Sequence, residues 1–458
     1  MKLTVFQSGK GDCLLLTGED GRTMLADGGQ APTYSEHVAP ALGRMRAAGK
    51  SLDLVYLSHI DDDHIGGVLR LMDDEVEWRV HDFQVKSGNA GHRRPRAPRP
   101  PRVKAIWHNA FHDQLGKNTG EVENMLAASA AILSGSDNGL VKALASRQGE
   151  LATSVAQALR LSRRVSPEQL GIKLNPPARG RLMMVRAGRA APVRLGGMRL
   201  WVIGPFPEDL RELRKEWNEW LRTHRKQLKS IQRRAEEDER AFGVKEISDI
   251  IVPKLRQAEA LSSLLPLAAA GGRFKLGQRQ KVTTPNLASL MLYVEEERAA
   301  AGGRQTRTLL LTGDGHQDDI VRGLRHTGKL AGGGGLHVNV LKVQHHGSEH
   351  NIDEEFCRLV TADNYLFCGN GEHENPDLRV LQAIADSRIG ARPGQRSPNP
   401  EAGDRFKFLF NSSPASAVRD EAKAHMREVK KLVGRLEARS KGQMSSSFLD
   451  RSSFDLTV

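Results

Sequence analysis

Residues 58–67 carry two histidines and three aspartates within six positions, in the order Ser-His-Ile-Asp-Asp-Asp-His-Ile-Gly-Gly. They follow an apolar run, residues 54–57, that is typical of a buried strand, and they precede an apolar-periodic stretch, residues 68–72, that indicates the start of a helix. A loop at the carboxyl end of a strand can direct several side chains to one point, and divalent cations bind this mixture of imidazole and carboxylate. The predicted metal ligands are His59, Asp61, Asp63 and His64. A polar turn that only caps a helix is the alternative, but capping needs one aspartate.

Further polar motifs follow apolar runs elsewhere in the chain. In chain order they are Gly-Lys-Gly-Asp at 9–12, Asp-Gly-Gly at 27–29, Asn-Leu-Ala-Ser-Leu at 286–290, Thr-Gly-Asp at 312–314 and Leu-Lys-Val-Gln-His-His-Gly-Ser at 341–348. Each of these segments places an acid, an amide or an imidazole beside a predicted strand.

These motifs, in this order, resemble the metallo-β-lactamase superfamily. Among its members the sequence is most similar to the soluble hydrolase domain of ComEC-type competence proteins, in which an aspartate replaces the usual second histidine. Lys10 departs from the glutamine of that family's first motif. The resemblance covers roughly residues 1–75 and 283–385 and leaves the middle of the chain unexplained. It implies an α/β fold of a particular form, an αβ/βα four-layer sandwich with metals at the seam between two sheets.

The resemblance also implies roles for the ligands. His59 and Asp61 are expected to bind one metal ion, and Asp63 and His64 a second. Asp314, in the Thr-Gly-Asp motif, is expected to bridge the two ions, although Gly-Asp-Gly is also suitable for an ordinary turn.

Three further histidines have open roles. His345 or His346 is expected to complete the shell of the second metal ion, and the favoured arrangement has one ligand and one substrate contact. His108 is either the superfamily's remaining histidine ligand or a polar loop residue. Asp27 is expected to orient a ligand from outside the metal shell, since metal-binding histidines usually need such a partner.

A segment after a predicted strand, residues 367–376, adds a possible catalytic group. His373 is predicted to contact a scissile phosphate or to donate a proton to the leaving oxygen. A plain turn is the alternative, and the family's His-Pro element is replaced here by His-Glu-Asn-Pro. The predicted catalytic residues are Asp63, His64 and His373.

Three carboxylates in the ligand set favour manganese or magnesium over a purely zinc site, although the histidines keep zinc possible. Two divalent ions about 3.5–4 Å apart can share a hydroxide and stabilise the attacking and leaving oxygens of a phosphodiester. The predicted activity is therefore that of a phosphodiesterase, most plausibly a DNA or RNA nuclease. The alternatives are a small-molecule hydrolase acting on a phosphoester, lactone or cyclic nucleotide, and a non-catalytic binding subunit.

The composition agrees with a nucleic-acid enzyme. The 458 residues include 68 lysines and arginines against 55 acids, giving a net charge of +13, which attracts polyanions. A proline-rich stretch, residues 93–104, contains several arginines and a lysine. It is either a loop that binds phosphates or a disordered, solvated loop. Three cysteines, no signal-peptide pattern and no apolar run of about 18 residues favour a cytoplasmic protein outside the membrane.

The predicted organisation has four parts. Residues 1–118 and 276–412 form the two halves of the hydrolase domain, residues 119–275 a largely helical insertion, and residues 413–458 a C-terminal helix and tail. Helices are predicted at 121–133, 139–161, 208–240, 247–265 and 420–437, and strands at 103–107, 198–203, 287–295, 307–312, 338–343 and 406–410. The helix at 208–240 carries a basic face, so the insertion could serve as a lid, a nucleic-acid clamp or a homodimer surface.

Overall fold

The fold is given by a computed structural model. The residues that it describes are 1–109, 157, 160–188, 190–212, 276–279, 282–300, 303–331, 334–390 and 392–458. Contacts between Cα atoms group Met1–Asn109, Leu161–Arg211 and Leu276–Val458 into one compact unit, in which all the strands and helices below lie. The helices predicted between 121 and 265 lie largely outside the described residues, and so does the homodimer surface predicted on the insertion.

Six strands from the first part of the chain build most of the first sheet. They are β1 (Lys2–Phe6), β2 (Leu14–Thr17), β3 (Thr23–Ala26), β4 (Leu54–Tyr56), β5 (Ala105–Trp107) and β6 (Lys173–Leu174). They lie side by side in this order: β1, β2 and β3 are antiparallel, whereas β3 to β6 run parallel. The carboxyl ends of β3, β4 and β5 therefore meet at one edge of the sheet.

Eight strands among the described residues build the second sheet. They are β7 (Val193–Leu195), β8 (Met198–Gly204), β9 (Met291–Ala300), β10 (Gly303–Leu311), β11 (Leu336–Lys342), β12 (Val360–Phe367), β13 (Phe406–Phe410) and β14 (Met444–Phe448). They are neighbours in chain order, and β10 to β14 run parallel. The last strand, β15 (Ser453–Thr457), returns to the first sheet, antiparallel to β1.

Helices connect these strands. They are α1 (Ala39–Ala47), α2 (Asp62–Lys86), α3 (Gln317–His326), α4 (Glu354–Leu359), α5 (Leu378–Ile389) and α6 (Asp420–Arg439). Shorter helical turns occur at Ala31–Thr33, Tyr34–Val38, Pro176–Ala178, Thr284–Leu287, Gln344–Gly347, Glu372–Glu374 and Pro400–Ala402. Within the described ranges, none of the helices combines the length and the apolar character needed to cross a membrane.

The side chains of the second sheet alternate between two cores. On β9, Leu292 and Val294 pack in a cluster shared with the first sheet, while Met291 and Tyr293 pack in a cluster shared with helices α3 to α6. This period of two is expected for a strand buried on both faces. The two sheets therefore face each other across one apolar layer, with helices outside, and the predicted metallo-β-lactamase-like sandwich is confirmed.

Helix α2 begins earlier than predicted. It starts at Asp62, not near residue 68, so that Gly66 and Gly67 lie inside it. The prediction was wrong because glycine usually disfavours a helix interior. Here a Cβ atom on Gly67 would lie 2.0 Å from the carbonyl oxygen of Gly28, so only glycine lets the helix approach this loop. Asp61 occupies the N-cap position, but its side chain makes no capping hydrogen bond.

Two other segments differ from the predictions. The strand expected at 287–295 is β9, which begins only at Met291, after a helical turn and the hydrogen bond from Leu290 N to Ser58 O (2.7 Å). This hydrogen bond ties the start of β9 to the first sheet. The C-terminal tail was expected to follow a helix without strands, but β14 and β15 add one strand to each sheet.

Candidate metal centre

The carboxylate of Asp314 is surrounded by imidazole rings. It follows β10 and is 2% exposed. The Nε2 atoms of His59, His345 and His346 lie 3.6, 3.6 and 3.4 Å from its Oδ2 atom, and Nε2 of His64 lies 3.5 Å from Oδ1. Several of these atoms are buried and have no hydrogen-bond partner among the described residues: Oδ1 of Asp314 and Nε2 of His59, His64 and His346.

Adjacent strand ends bring this cluster together. His59 follows β4 of the first sheet, and His64 lies in the first turn of α2. Asp314 and the His345–His346 pair follow the neighbouring parallel strands β10 and β11 of the second sheet. Gly313 turns the chain sharply before Asp314, with a φ of 49° that suits glycine. The motifs that the sequence placed at strand ends thus converge on one point.

In the first sheet, Ser58 and Asp27 hold two imidazoles through their Nδ1 atoms. Asp27 Oδ2 lies 3.0 Å from His64 Nδ1 and accepts a hydrogen bond from the Ser58 hydroxyl at 2.8 Å. The Ser58 hydroxyl in turn lies 3.0 Å from Nδ1 of His59. Since the carboxylate only accepts, both rings donate from Nδ1, which leaves the Nε2 lone pairs facing Asp314. The predicted orienting role of Asp27 agrees with this geometry.

In the second sheet, an amide oxygen holds the ring of His345, and a carboxylate lies beside the ring of His346. Asn351 Oδ1 lies 2.8 Å from Nδ1 of His345, and its Nδ2 donates to the backbone oxygen of Asp314 at 2.9 Å. Oδ1 of Asp12 lies 3.4 Å from Nδ1 of His346, and neither atom has a hydrogen-bond partner among the described residues. Three of the four rings are therefore fixed through Nδ1, a pattern that metal-binding histidines share because it directs the other nitrogen to the ion.

The remaining acids of the first motif lie beside the same rings. Oδ2 of Asp61 is 3.6 Å from Nε2 of His59, and Oδ2 of Asp63 is 3.3 Å from Nε2 of His346. Burial would raise the pKa of Asp63, but His346 and His64 outweigh it and hold that pKa well below its usual range. Asp63 is therefore ionised and offers negative charge to the cluster.

Two of the rings, His64 and His346, carry positive charge when only protons are available. Burial would lower the pKa of His64 and His346, but the carboxylates around each ring, Asp314 foremost, raise it well above its usual value. For His345 burial prevails and lowers the pKa. The cluster thus stabilises positive charge at the Nε2 atoms, where a metal ion would replace protons.

A buried lysine that the sequence analysis did not assign lies behind the cluster. Lys342 is 1% exposed, and its Nζ atom lies 2.5 Å from Oδ2 of Asp12 and 3.6 Å from Oδ1 of Asp314. Burial would lower its pKa, but these two carboxylates raise it. For Asp12, Lys342 and His64 outweigh burial and lower the pKa to about 2. A single lysine between the apolar residues Leu341 and Val343 was the sequence signal that could have revealed the pair of Lys342 with Asp12.

Two groups of three side chains are close enough to hold an ion, each with atoms within 4.8 Å of one another. One consists of His59, His64 and Asp314, and the other of Asp12, His64 and His346. In the second group Asp12 already pairs with Lys342, and it approaches both rings at Nδ1, not at Nε2. The first group is therefore the better position for a cation.

His108 and His373 belong to neither of these groups. His108 follows β5, is 1% exposed, and has no hydrogen-bond partner for either ring nitrogen among the described residues. Burial lowers its pKa to about 4. His373 is exposed in the turn Glu372–Glu374, in a left-handed conformation with a φ of 55°. The ligand role of His108 and the catalytic role of His373 both stay predictions.

Comparisons with known proteins agree with the fold. Residues 8–114 match the family model of the metallo-beta-lactamase superfamily. A comparison with curated proteins found no match. Among solved structures, the chain is similar to the crystal structure of a long form RNase Z from yeast, with 9% sequence identity and a TM-score of 0.28, over 90% of this chain and 37% of that chain. The fold and the matched segment define a protein with the metallo-beta-lactamase fold, whereas the resemblance to ComEC-type proteins stays a prediction.

Proposed function

We propose that the protein is a metal-dependent hydrolase that cleaves phosphodiester bonds, with nucleic acid as its substrate. The observation that carries this proposal is the arrangement of four imidazole Nε2 atoms around the Asp314 carboxylate, at 3.4–3.6 Å. The rings of His59, His64 and His345 are held by hydrogen bonds at Nδ1, which directs their Nε2 atoms to the carboxylate.

The residues fit divalent metal ions. Buried polar atoms without partners are costly, and among the described residues Oδ1 of Asp314 and Nε2 of His59, His64 and His346 are such atoms. Nε2 of His59 faces Oδ2 of Asp314 and Nε2 of His64 faces Oδ1, so this carboxylate could serve two ions. His59, Asp61 and Asp314 would hold one ion. Asp63, His64, Asp314 and one of the paired histidines would hold the other.

We assign His346 to the second ion. It is 5% exposed, and its Nε2 atom lies 3.3 Å from Asp63. The side chain of His345 is 27% exposed and lies farther from Asp314. His345 is therefore placed to contact a phosphoryl oxygen of the substrate, which corresponds to the arrangement of one ligand and one substrate contact.

Bound metal ions and protein side chains would have different roles in the reaction. Divalent ions bound here would offset the charge on the phosphate and lower the pKa of a water molecule. Asp63, kept ionised by its neighbours, would orient the attacking water, and His345 would lie beside the bound substrate. The share of carboxylates in the set favours Mn²⁺ or Mg²⁺, while the histidines allow Zn²⁺. The net charge of +13 would concentrate a polyanionic substrate.

The test is cleavage of labelled single- and double-stranded DNA and RNA by the purified protein with Mn²⁺, Mg²⁺ or Zn²⁺. The proposal predicts metal-dependent cleavage that is lost in an Asp63→Ala, His64→Ala double variant. Glu295→Gln, a change of a buried acid away from the cluster, is the control and should retain cleavage. Bound metal without cleavage of any of the four polymers would refute nucleic acid as substrate and favour a small phosphoester, lactone or cyclic nucleotide.

A further inference from the structure

A basic groove lies along the second half of α2, away from the metal centre. It has a volume of about 450 Å³ and is enclosed by the helix and by the loop at residues 92–97. The loop belongs to the proline-rich stretch for which the sequence left two roles open. The residues that line this groove include Arg70, Val76, Val80, Arg93, Arg94 and Arg96.

The loop is seated against the helix by Trp78. The indole nitrogen of Trp78 donates to the backbone oxygen of Ala97 at 3.0 Å. The guanidinium groups of Arg94 and Arg99 lie 5.2 and 5.3 Å from the centre of its ring, and Arg99 also pairs with Asp82. These contacts give the loop a defined place on α2, so the arginines that it carries line a formed groove.

The groove has an excess of positive charge. Four arginines line it against a single acid, Glu77, which leaves three positive charges. Arg70 is already paired with Asp74 at 2.6 Å. Arg93, Arg94 and Arg96 make no ion pair within the part of the chain that the structure describes. Three guanidinium groups are therefore available to an anionic ligand.

An exposed apolar strip continues the groove. Among the described residues, only four large apolar side chains are exposed, and three of them, Val80, Phe83 and Val85, lie at the end of α2. Val76, Val80 and Phe83 are spaced as i, i+4 and i+7, which places them on one helix face. Phe83 is 66% exposed. An exposed phenyl ring about one helical turn beyond Val80, which lines the groove, suits a ligand that carries both a flat ring and phosphates.

We propose that this groove binds a single-stranded segment of nucleic acid. The phosphates would contact Arg93, Arg94 and Arg96, and an unpaired base would stack on Phe83. At 1.5 Å per residue, the groove lies about 10–25 Å along the axis of α2 from Asp63, so it would be a second contact with the substrate, separate from the metal centre. The inference rests on the proposed function, because it names the form of the substrate and a site that holds it.

The first experiment measures binding without cleavage. Fluorescence anisotropy with labelled oligo(dT) and oligo(rU) of about 12 nucleotides, in a chelator, separates DNA from RNA binding. The triple variant Arg93→Ala, Arg94→Ala, Arg96→Ala should weaken binding at least tenfold, and the salt dependence should fall by about two units, at roughly 0.7 per lost phosphate contact. The control is Arg419→Ala, Arg427→Ala, Arg435→Ala, which removes the same charge from exposed positions on or beside α6.

The second experiment tests base stacking. Phe83→Ala should weaken binding by about 5- to 150-fold, the range that loss of one stacked base gives. Val418→Ala, at a side chain that is 79% exposed elsewhere, should leave binding unchanged. Thermal unfolding of each variant checks that the fold is retained.

Four outcomes would overturn the inference. They are absence of oligonucleotide binding, unchanged binding in the groove variants, equal weakening in the Arg419, Arg427, Arg435 control, and a change from dimer to monomer on Phe83→Ala, which would make the strip an interface between two copies of the chain. Cleavage is assayed separately with metal. Binding through the groove without cleavage would refute the proposed function alone, and cleavage without binding through the groove would refute this inference alone.

Discussion

Two buried carboxylates of the second sheet have opposite surroundings. Glu295, on β9, is 5% exposed and receives three close donors, from Arg199 (2.8 Å), Trp201 (2.9 Å) and Lys329 (2.8 Å). Asp314, after β10, is 2% exposed, and the charged and imidazole nitrogens around its carboxylate stay at 3.4 Å or beyond.

The difference distinguishes an acid that stabilises the fold, Glu295, from an acid that is placed to bind a ligand, Asp314. The charge on Glu295 is satisfied within the chain, as buried charges usually are. The charge on Asp314 faces four ring nitrogens, three of them on rings that are held at Nδ1, at distances that leave room for a cation between them. A buried carboxylate whose neighbours stop short of hydrogen-bond distance is thus the mark of a ligand site, and each variant below tests this contrast.

Asp314→Asn should have the largest effect. Loss of the central charge should reduce metal-dependent hydrolysis by about a thousandfold or more, since the site loses its main electrostatic element. The free energy of unfolding measured in chelator should change less than in Glu295→Gln. Steady-state kinetics and denaturant unfolding provide the two measurements, and an active Asp314→Asn protein would remove the distinction between the two acids.

Glu295→Gln should show the reverse pattern. We expect a loss of about 2–3 kcal/mol in the free energy of unfolding, because three donors lose a charged acceptor, while kcat per folded molecule is retained.

This loss should depend on pH. Burial would raise the pKa of Glu295, but hydrogen bonds from Lys329 and Trp201 hold it below its usual value. A lowered pKa in the folded state stabilises the protein above the unfolded pKa of about 4.3 and loses that contribution as pH falls. The stability difference between wild type and Glu295→Gln should therefore shrink below about pH 4, measured by urea unfolding across pH. A pH-independent difference would contradict this explanation.

Asp27→Asn should have the smallest effect of the three. Asp27 touches no predicted ion but holds the His64 ring at 3.0 Å and the Ser58 backbone nitrogen at 2.7 Å. Removing such an orienting partner typically weakens metal binding by about 10- to 100-fold. Metal titration followed by calorimetry measures it, and a loss as large as that of Asp314→Asn would make Asp27 itself a ligand.

The sequence predicts candidate metal ligands better than it predicts the residues that hold those ligands in place. The aspartates and histidines of residues 58–67 were predicted as ligands from their types and their position after an apolar run, and Asp314 was predicted from the resemblance of Thr-Gly-Asp to a metallo-β-lactamase motif. The hydrogen bonds of Ser58 and Asn351 and the pair of Asp12 with Lys342 could not be derived, since they depend on how two sheets are packed.

In the fold too, elements with a clear local pattern were predicted, and elements that depend on distant contacts were missed. Strands with apolar alternation, such as β8, β11 and β13, were predicted from their pattern. β14 was missed because its sequence, Met-Ser-Ser-Ser-Phe, has three polar residues out of five, and its place comes from pairing with β13. The start of α2 was missed because a contact between distant glycines overrides their weak helix propensity.

The most direct measurement is the metal content of the purified protein after dialysis against Mn²⁺ or Zn²⁺, by mass spectrometry. If the histidines around Asp314 form a metal centre, the wild type and Glu295→Gln should retain the same stoichiometry, near two ions per chain, and Asp314→Asn should lose most of it. Equal metal content in Asp314→Asn and the wild type, or none in the wild type, would contradict the account.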